Sequence, residues 1–144
     1  MHDEALQIYL FCTAALAFNL FFLTAATGAS RAKAKVFVNG EDASLFKGEH
    51  RPTEADTVDR VKAAHRNALE SIPLFLVLAL LYILTGAEKS GAMAYFITFT
   101  VARWLHSFFY LRGMQPWRTV AFGVGLLVNV GLTIQIILAG VNIH

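Results

Sequence analysis

The sequence predicts an all-α membrane protein, an antiparallel four-helix transmembrane bundle formed by one domain over residues 1–144. Hydrophobic residues make up 56% of the chain and charged residues only 15%, and the mean hydropathy is +0.54. An ordinary soluble domain is about 45–50% apolar, and so small a chain cannot hide this surplus in a single core. A surface that faces lipid would accommodate it.

The first helix is predicted at about residues 5–30, a segment without any charged residue. A helix rises about 1.5 Å per residue, so about 20 apolar residues cross the hydrocarbon of a bilayer. A cleavable signal peptide has a basic start and a shorter apolar stretch. Here Asp3 and Glu4 precede the apolar run, so we expect the segment to be retained.

The other helices are predicted at about residues 57–87, 91–111 and 117–142. The second is expected to start outside the bilayer, and Pro73 within it predicts a local kink. The third carries Arg103 inside an otherwise apolar and aromatic run. The fourth follows a proline, which suits the first turn of a helix.

Basic residues are concentrated on one side of this predicted topology. The first loop, residues 31–56, and its flanks contain Arg31, Lys33, Lys35, Lys47, Arg51, Arg60, Lys62 and Arg66, and the third loop adds Arg112 and Arg118. The opposite side has only Lys89. The positive-inside rule therefore places both loops in the cytoplasm and both termini across the membrane.

The charge balance and the cysteine count exclude several kinds of partner. With 12 basic and 10 acidic residues, the chain has no strong polyanion-binding tail, and nucleic acid is not an expected partner. The single Cys12 cannot close an intrachain disulfide, and the five histidines lack the paired spacing of metal ligands. We therefore expect no metal site.

The predicted third helix carries a polar face. Arg103, His106 and Tyr110 are spaced i, i+3 and i+7, which places them on one side of a helix. An arginine inside a membrane helix costs about 2.5 kcal/mol or more and normally faces a partner or a polar cavity. A purely structural alternative is that Arg103 pairs with Glu70 and locks two helices together.

Two further groups of polar residues are predicted to lie near the loops. Arg66, Asn67 and Glu70 share one face of the second helix, although Arg66 and Glu70 alone would make an ordinary surface pair. Arg118 lies at the positive N-terminal end of the fourth helix, which suits an anion such as a thiolate. The alternative is an interfacial arginine beside Trp117 that snorkels to water.

Arg31, Arg66 and Arg118 are all expected on the same side of the membrane as Glu70. Arginines bind carboxylates through strong charge-assisted hydrogen bonds, and a glutamate can accept an amine. The set therefore predicts one polar ligand, a small acidic peptide.

Four motifs carry a family resemblance. They are Phe37-x-Asn39-x-Glu41-Asp42, Ala64-His65-Arg66-Asn67-x-x-Glu70, Arg103-x-x-His106-x-x-x-Tyr110 and Pro116-x-Arg118-Thr119. Together they make the chain resemble the MAPEG family, the membrane-associated proteins of eicosanoid and glutathione metabolism, with the greatest likeness to its prostaglandin E synthase branch. The resemblance implies a homotrimer of four-helix subunits with glutathione bound between neighbouring subunits.

The resemblance also implies roles for individual residues. The glutathione-binding residues would be Arg31, His65, Arg66, Asn67, Glu70, Arg103, His106 and Tyr110. The catalytic residues would be Arg118 and Thr119, which stabilise the thiolate, and Asp42, which relays a proton. Phe122 stands where the prostaglandin enzyme has a tyrosine, a departure from that branch.

The leading expectation is a glutathione transferase or peroxidase that delivers the thiolate of glutathione to a lipophilic electrophile or peroxide from the bilayer. A first alternative is an endoperoxide isomerase like prostaglandin E synthase. A second is a non-catalytic lipid-binding scaffold of the same fold. A third is a small channel or transporter lined by Arg103 and Asn129.

Overall fold

The protein is described by a computed structural model over residues 2–142, with side chains from residue 4 onward, so the ends of the predicted 1–144 domain lie outside the described residues. Its elements follow in chain order. They are α1 (His2–Ala34), β1 (Val36–Phe37), α2 (Gly40–Leu45), β2 (Glu49–His50), α3 (Asp56–Leu84), α4 (Lys89–Ala92), a π-helical turn (Met93–Ile97), α5 (Thr98–Arg112) and α6 (Trp117–Val141).

Within residues 2–142, three helices are long and apolar enough to cross a membrane. They contain the segments Glu4–Ala34, Asp56–Leu84 and Trp117–Val141. The predicted third helix at 91–111 lies within one continuous helical run made of α4, the π-helical turn and α5, because the backbone is right-handed helical at both junctions. The π-helical turn is a single wider turn inside this helix, which starts at Lys89 and ends at Arg112.

The other predicted helices are present with shifted ends. Helix α1 continues four residues beyond the predicted end at residue 30, to Ala34, and its last turn contains Arg31 and Lys33. Cations are favourable there because the C-terminal end of a helix is partially negative. Helix α3 passes through Pro73 without ending.

Helices α1 and α3 run antiparallel. At one end Glu4 accepts a hydrogen bond from Lys89, just after α3, at 2.8 Å. At the other end Arg31 near the end of α1 meets Glu54 just before α3. We call this second end the loop end. Helix α5 also ends there, because its C-cap Gly113 has a left-handed backbone with φ 66° and lies against the guanidinium of Arg60 on α3.

The segment between α1 and α3 is folded back on itself. Strands β1 and β2 pair in parallel, Val36 with Glu49 and Phe37 with His50, and the rings of Phe37 and Phe46 stack with centroids 5.6 Å apart. The sequence predicts only a loop here. Its folding holds the residues before α3 against the end of α1.

The helices pack through small and aromatic side chains. Phe75 of α3 stacks on Phe99 of α5 with centroids 3.9 Å apart, and Ala64, Ala68 and Ala79 of α3 are buried. Apolar side chains gain little from moving out of lipid and into a contact between helices, because lipid is equally apolar. Van der Waals contact between closely packed helices therefore holds such a bundle together. Large apolar side chains lie instead on the outer surface, including Phe11, Phe18 and Phe21 of α1.

Candidate functional site

Arg103 is the largest fully buried side chain of the structure, with 1% of its surface exposed. Its Nη2 donates to Oδ1 of Asn67 at 2.7 Å and lies 3.4 Å from Nδ1 of His106. The alternative of an Arg103–Glu70 lock is therefore wrong, because the guanidinium reaches Asn67, almost one turn nearer the loop end of α3. Helices α3 and α5 are joined by a charge-assisted hydrogen bond to a neutral amide.

The contacts continue from α5 to α6. The buried ring of His106 meets Tyr110 edge to face, with centroids 5.5 Å apart. Arg118 places its Cζ 4.5 Å from the centroid of the Tyr110 ring, a cation–π contact. We call Asn67, Arg103, His106, Tyr110 and Arg118 the interhelical chain. It links three helices through successive side-chain contacts.

A cavity of about 210 Å³ lies along this chain. It is lined by Asn67, Glu70, Ser71, Leu74, Phe99, Arg103, Phe122, Gly125, Leu126 and Asn129. Within the described residues, Nε of Arg103 and Oδ1 of Asn129 are buried without a hydrogen-bond partner. Buried polar atoms are normally satisfied, so unsatisfied ones beside a cavity indicate room for a polar ligand.

Arg66 and Glu70 are exposed. Across residues 2–142 they form no ion pair with each other within 4.0 Å, so the ordinary helix pair expected as an alternative is absent. His65 lies apart from the interhelical chain, with Nε2 3.5 Å from Oγ1 of Thr24 on α1. Arg66 and Glu70 thus present opposite charges on the outer face of α3.

Arg118 and Thr119 lie in the first turn of α6, beside a residue that the motifs do not contain. The Gln115 amide lies between their side chains. With its oxygen toward Arg118 it accepts from Nε at 3.1 Å and from Nη2, while its nitrogen donates to Oγ1 of Thr119 at 3.0 Å. The reverse orientation would face the amide NH₂ against the guanidinium, so we adopt the first. The i−3 and i−4 spacing of Gln115 could have indicated this contact.

Arg31 belongs to a different group of charges. Its Nη2 donates to Oε1 of Glu54 at 2.6 Å, and Nζ of Lys62 lies 3.2 Å from the same oxygen. Glu54 neutralises Arg31 in the single chain, and that Arg31 faces one ligand together with Arg66 and Arg118 stays a prediction. The sequence reasoning missed Glu54, which belongs to none of the motifs.

Glu54 has a perturbed pKa. Burial of its side chain, 6% exposed, would by itself raise the pKa of the carboxyl, but hydrogen bonds and charges from Arg31 and Lys62 outweigh that effect and lower the pKa below its ordinary value. The carboxylate is therefore ionised at neutral pH.

Asp42 lies with Arg31. A cavity of about 200 Å³ is lined by Arg31, Phe37, Val38, Asn39, Asp42, Glu54 and Lys62, and Nδ2 of Asn39 donates to Oδ2 of Asp42 at 3.3 Å. We call Arg31, Asn39, Asp42, Glu54 and Lys62 the loop cluster. Within residues 2–142 no hydrogen bond or ion pair joins it to the interhelical chain.

An apolar groove runs between α5 and α6. It has a volume of about 560 Å³ and is lined by Ile97, Thr98, Val101, Ala102, Leu105, Phe109, Trp117, Val120, Ala121 and Val124. Trp117 directly precedes Arg118, so the groove begins next to the interhelical chain. The groove thus joins an apolar surface to the N-terminus of α6.

Comparison with known proteins agrees with these motifs. The MAPEG family matches residues 9–138. Microsomal glutathione S-transferase 1 of Rattus norvegicus is 37% identical over 142 residues, which cover 95% of this chain and 92% of that protein. Prostaglandin E synthase of Equus caballus is 32% identical over 135 residues, which cover 93% and 88%. Microsomal glutathione S-transferase 1 of Homo sapiens is 34% identical over 142 residues, covering 95% and 92%. The chain therefore belongs to the MAPEG family.

Proposed function

We propose that this protein is an integral membrane enzyme that binds glutathione, stabilises its thiolate and delivers it to a lipophilic electrophile or peroxide. The carrying observation is Arg118, held over the Tyr110 ring at the N-terminus of α6. Relatives named for glutathione transfer and prostaglandin E synthesis support an enzyme of this class.

The residues present fit glutathione as a ligand. Its carboxylates match Arg66 and the buried Nε of Arg103, and its amine matches Glu70. The cavity of about 210 Å³ accommodates only part of such a tripeptide. The remainder would lie over the exposed face of α3, where His65 and Arg66 are.

The chemistry requires a thiolate. A free thiol has a pKa of about 8.5, so it is mostly protonated at neutral pH and is a weak nucleophile. Glutathione supplies the sulfur nucleophile when bound. Arg118 and the partial positive charge at the α6 N-terminus would stabilise the anion, and the Thr119 hydroxyl would donate a hydrogen bond to it.

The proposed assembly is an antiparallel four-helix membrane domain that forms a homotrimer. An exposed set of charges on α3, with Arg66 and Glu70 outside any ion pair in residues 2–142, supports a ligand site that a neighbouring subunit completes. Asp42 and Arg31 of the loop cluster would then contribute from the edge of the site. The basic loops favour a cytoplasmic loop end, with both termini across the membrane.

The test uses protein purified in detergent. Equilibrium binding of glutathione is measured first, followed by conjugation to an aromatic halide and reduction of a lipid hydroperoxide. We expect glutathione binding and at least one of the two activities. Glu70→Ala should diminish binding and activity. Arg51→Ala should diminish neither, because the exposed Arg51 pairs with Glu49 outside the site. Binding without turnover of either substrate would favour the scaffold, and absence of binding would overturn the proposal.

A further inference from the structure

Arg118 is held on two sides. The Tyr110 ring lies beneath its guanidinium, and the Gln115 oxygen accepts from its Nε and Nη2. A free arginine side chain samples many rotamers, and fixing it costs conformational entropy. A guanidinium already fixed before the ligand arrives stabilises negative charge without this rearrangement.

The nitrogen of the Gln115 amide donates to the Thr119 hydroxyl. A hydroxyl has one hydrogen to donate and two lone pairs that accept. Because Nε2 of Gln115 donates to Oγ1 of Thr119 at 3.0 Å, one lone pair is filled and the hydroxyl hydrogen stays available for another acceptor. With the amide reversed, that hydrogen would be spent on Gln115 itself.

We propose that Gln115 is a positioning residue, which fixes Arg118 and leaves the Thr119 hydroxyl hydrogen available to the sulfur of glutathione. The inference rests on the proposed function. It adds a residue outside the four motifs and gives it a specific task, which is to bridge the two groups that stabilise the thiolate.

The task requires a neutral amide. A glutamate of nearly the same size at position 115 would form an ion pair with Arg118 and would accept the hydrogen of Thr119. Both changes would remove stabilisation from a nearby anion. Gln115→Glu therefore tests the charge and the hydrogen-bond direction together, and Gln115→Met removes the hydrogen bonds without adding charge.

The experiment is a pH titration of glutathione bound to the purified protein, followed by the ultraviolet absorbance of its thiolate. Gln115→Glu is expected to raise the pKa of the bound thiol by about one unit or more, which lowers the thiolate fraction about tenfold at a pH below both values. Gln115→Met is expected to raise it by less, with unchanged affinity for glutathione. Gln115 is exposed, so neither replacement disturbs the core.

Two controls separate this inference from the proposed function. Gln7→Glu makes the same chemical change at an exposed position near the N-terminus of α1, away from the loop end. The bound thiol should have the same pKa in this variant as in the wild type. Arg118→Ala should lose the thiolate signal. If Arg118→Ala loses it while either Gln115 variant titrates as the wild type, the positioning role is wrong and the proposed function stands. If the wild type shows no thiolate, both fail.

Discussion

The interhelical chain and the loop cluster both contain arginines, but their charges are arranged differently. Arg31 is paired with Glu54 at 2.6 Å. Arg103 contacts Asn67 and His106, and Arg118 contacts Tyr110 and Gln115. Within residues 2–142 no carboxylate lies within 4.0 Å of either arginine.

We expect this difference to decide which arginines stabilise an anion. A carboxylate partner neutralises the charge of a paired guanidinium. A guanidinium held by neutral groups keeps its positive charge available to a ligand. The interhelical chain is thus suited to stabilise an anion, and the loop cluster is suited to hold the folded loop on α1 and α3.

The largest effect should follow from Arg118→Ala. Removal of one positioned donor to a developing anion costs about 10²–10³ in turnover, and the affinity for glutathione should change far less. Steady-state turnover and equilibrium binding measure the two quantities separately. Arg51→Ala is the matched control, and equal turnover in both variants would place the thiolate-stabilising group elsewhere.

A second effect concerns Asn67, which supplies the acceptor for Arg103. Asn67→Leu leaves a buried guanidinium without that acceptor and should lower the free energy of unfolding by about 2 kcal/mol. Unfolding in detergent micelles measures it. Asn39→Leu, which alters an exposed amide of the loop cluster, should cost less than about 0.5 kcal/mol, and equal losses would contradict the contrast between the two regions.

The loop cluster should respond to pH. Because the pKa of Glu54 is lowered in the folded protein, its ion pairs stabilise the loop above the ordinary value of 4.5, and this stabilisation is lost as the pH falls through the lowered value. The Arg31 and Lys62 side chains are 41% and 44% exposed, so the contribution is about 1 kcal/mol at most.

Hydrogen exchange of the loop amides measures this contribution. The Glu49 amide donates to the Lys35 carbonyl at 2.7 Å. Glu54→Gln should lower the protection factor of this amide about fivefold at neutral pH, and that protection factor should no longer fall at acid pH. Glu49→Gln, which alters the exposed pair with Arg51, serves as the control. An unchanged acid dependence in Glu54→Gln would show that another carboxyl is responsible.

The smallest effect on turnover is expected from Asp42→Asn. Asp42 contacts Asn39 and lies in the loop cluster, so it should contribute less than about tenfold to turnover, whereas an essential proton donor contributes about 10²–10⁴. The pH profile of turnover distinguishes the two roles. A loss above a hundredfold would bring Asp42 into the reaction itself.

Much of the fold could be predicted from the sequence because membrane helices leave long uncharged runs. The π-helical turn at Met93–Ile97 within the third helix could not, since no proline or charge marks it. The hydrogen-bond partner of Arg103 could not be predicted either, because Asn67 and Glu70 share one helix face. Only the packing of α3 on α5 selects between them. Glu54 and Gln115 lie outside the motifs, and folding brings Glu54 to Arg31.

The most direct test of the central claim is the ultraviolet absorbance of the thiolate on addition of glutathione at neutral pH, in the wild type and in Arg118→Ala. The wild type should show a thiolate, and Arg118→Ala should bind glutathione without ionising it. Two results would contradict the role of the interhelical chain in stabilising the thiolate. One is an equal thiolate signal in the two proteins, and the other is that the wild type binds glutathione only as the thiol.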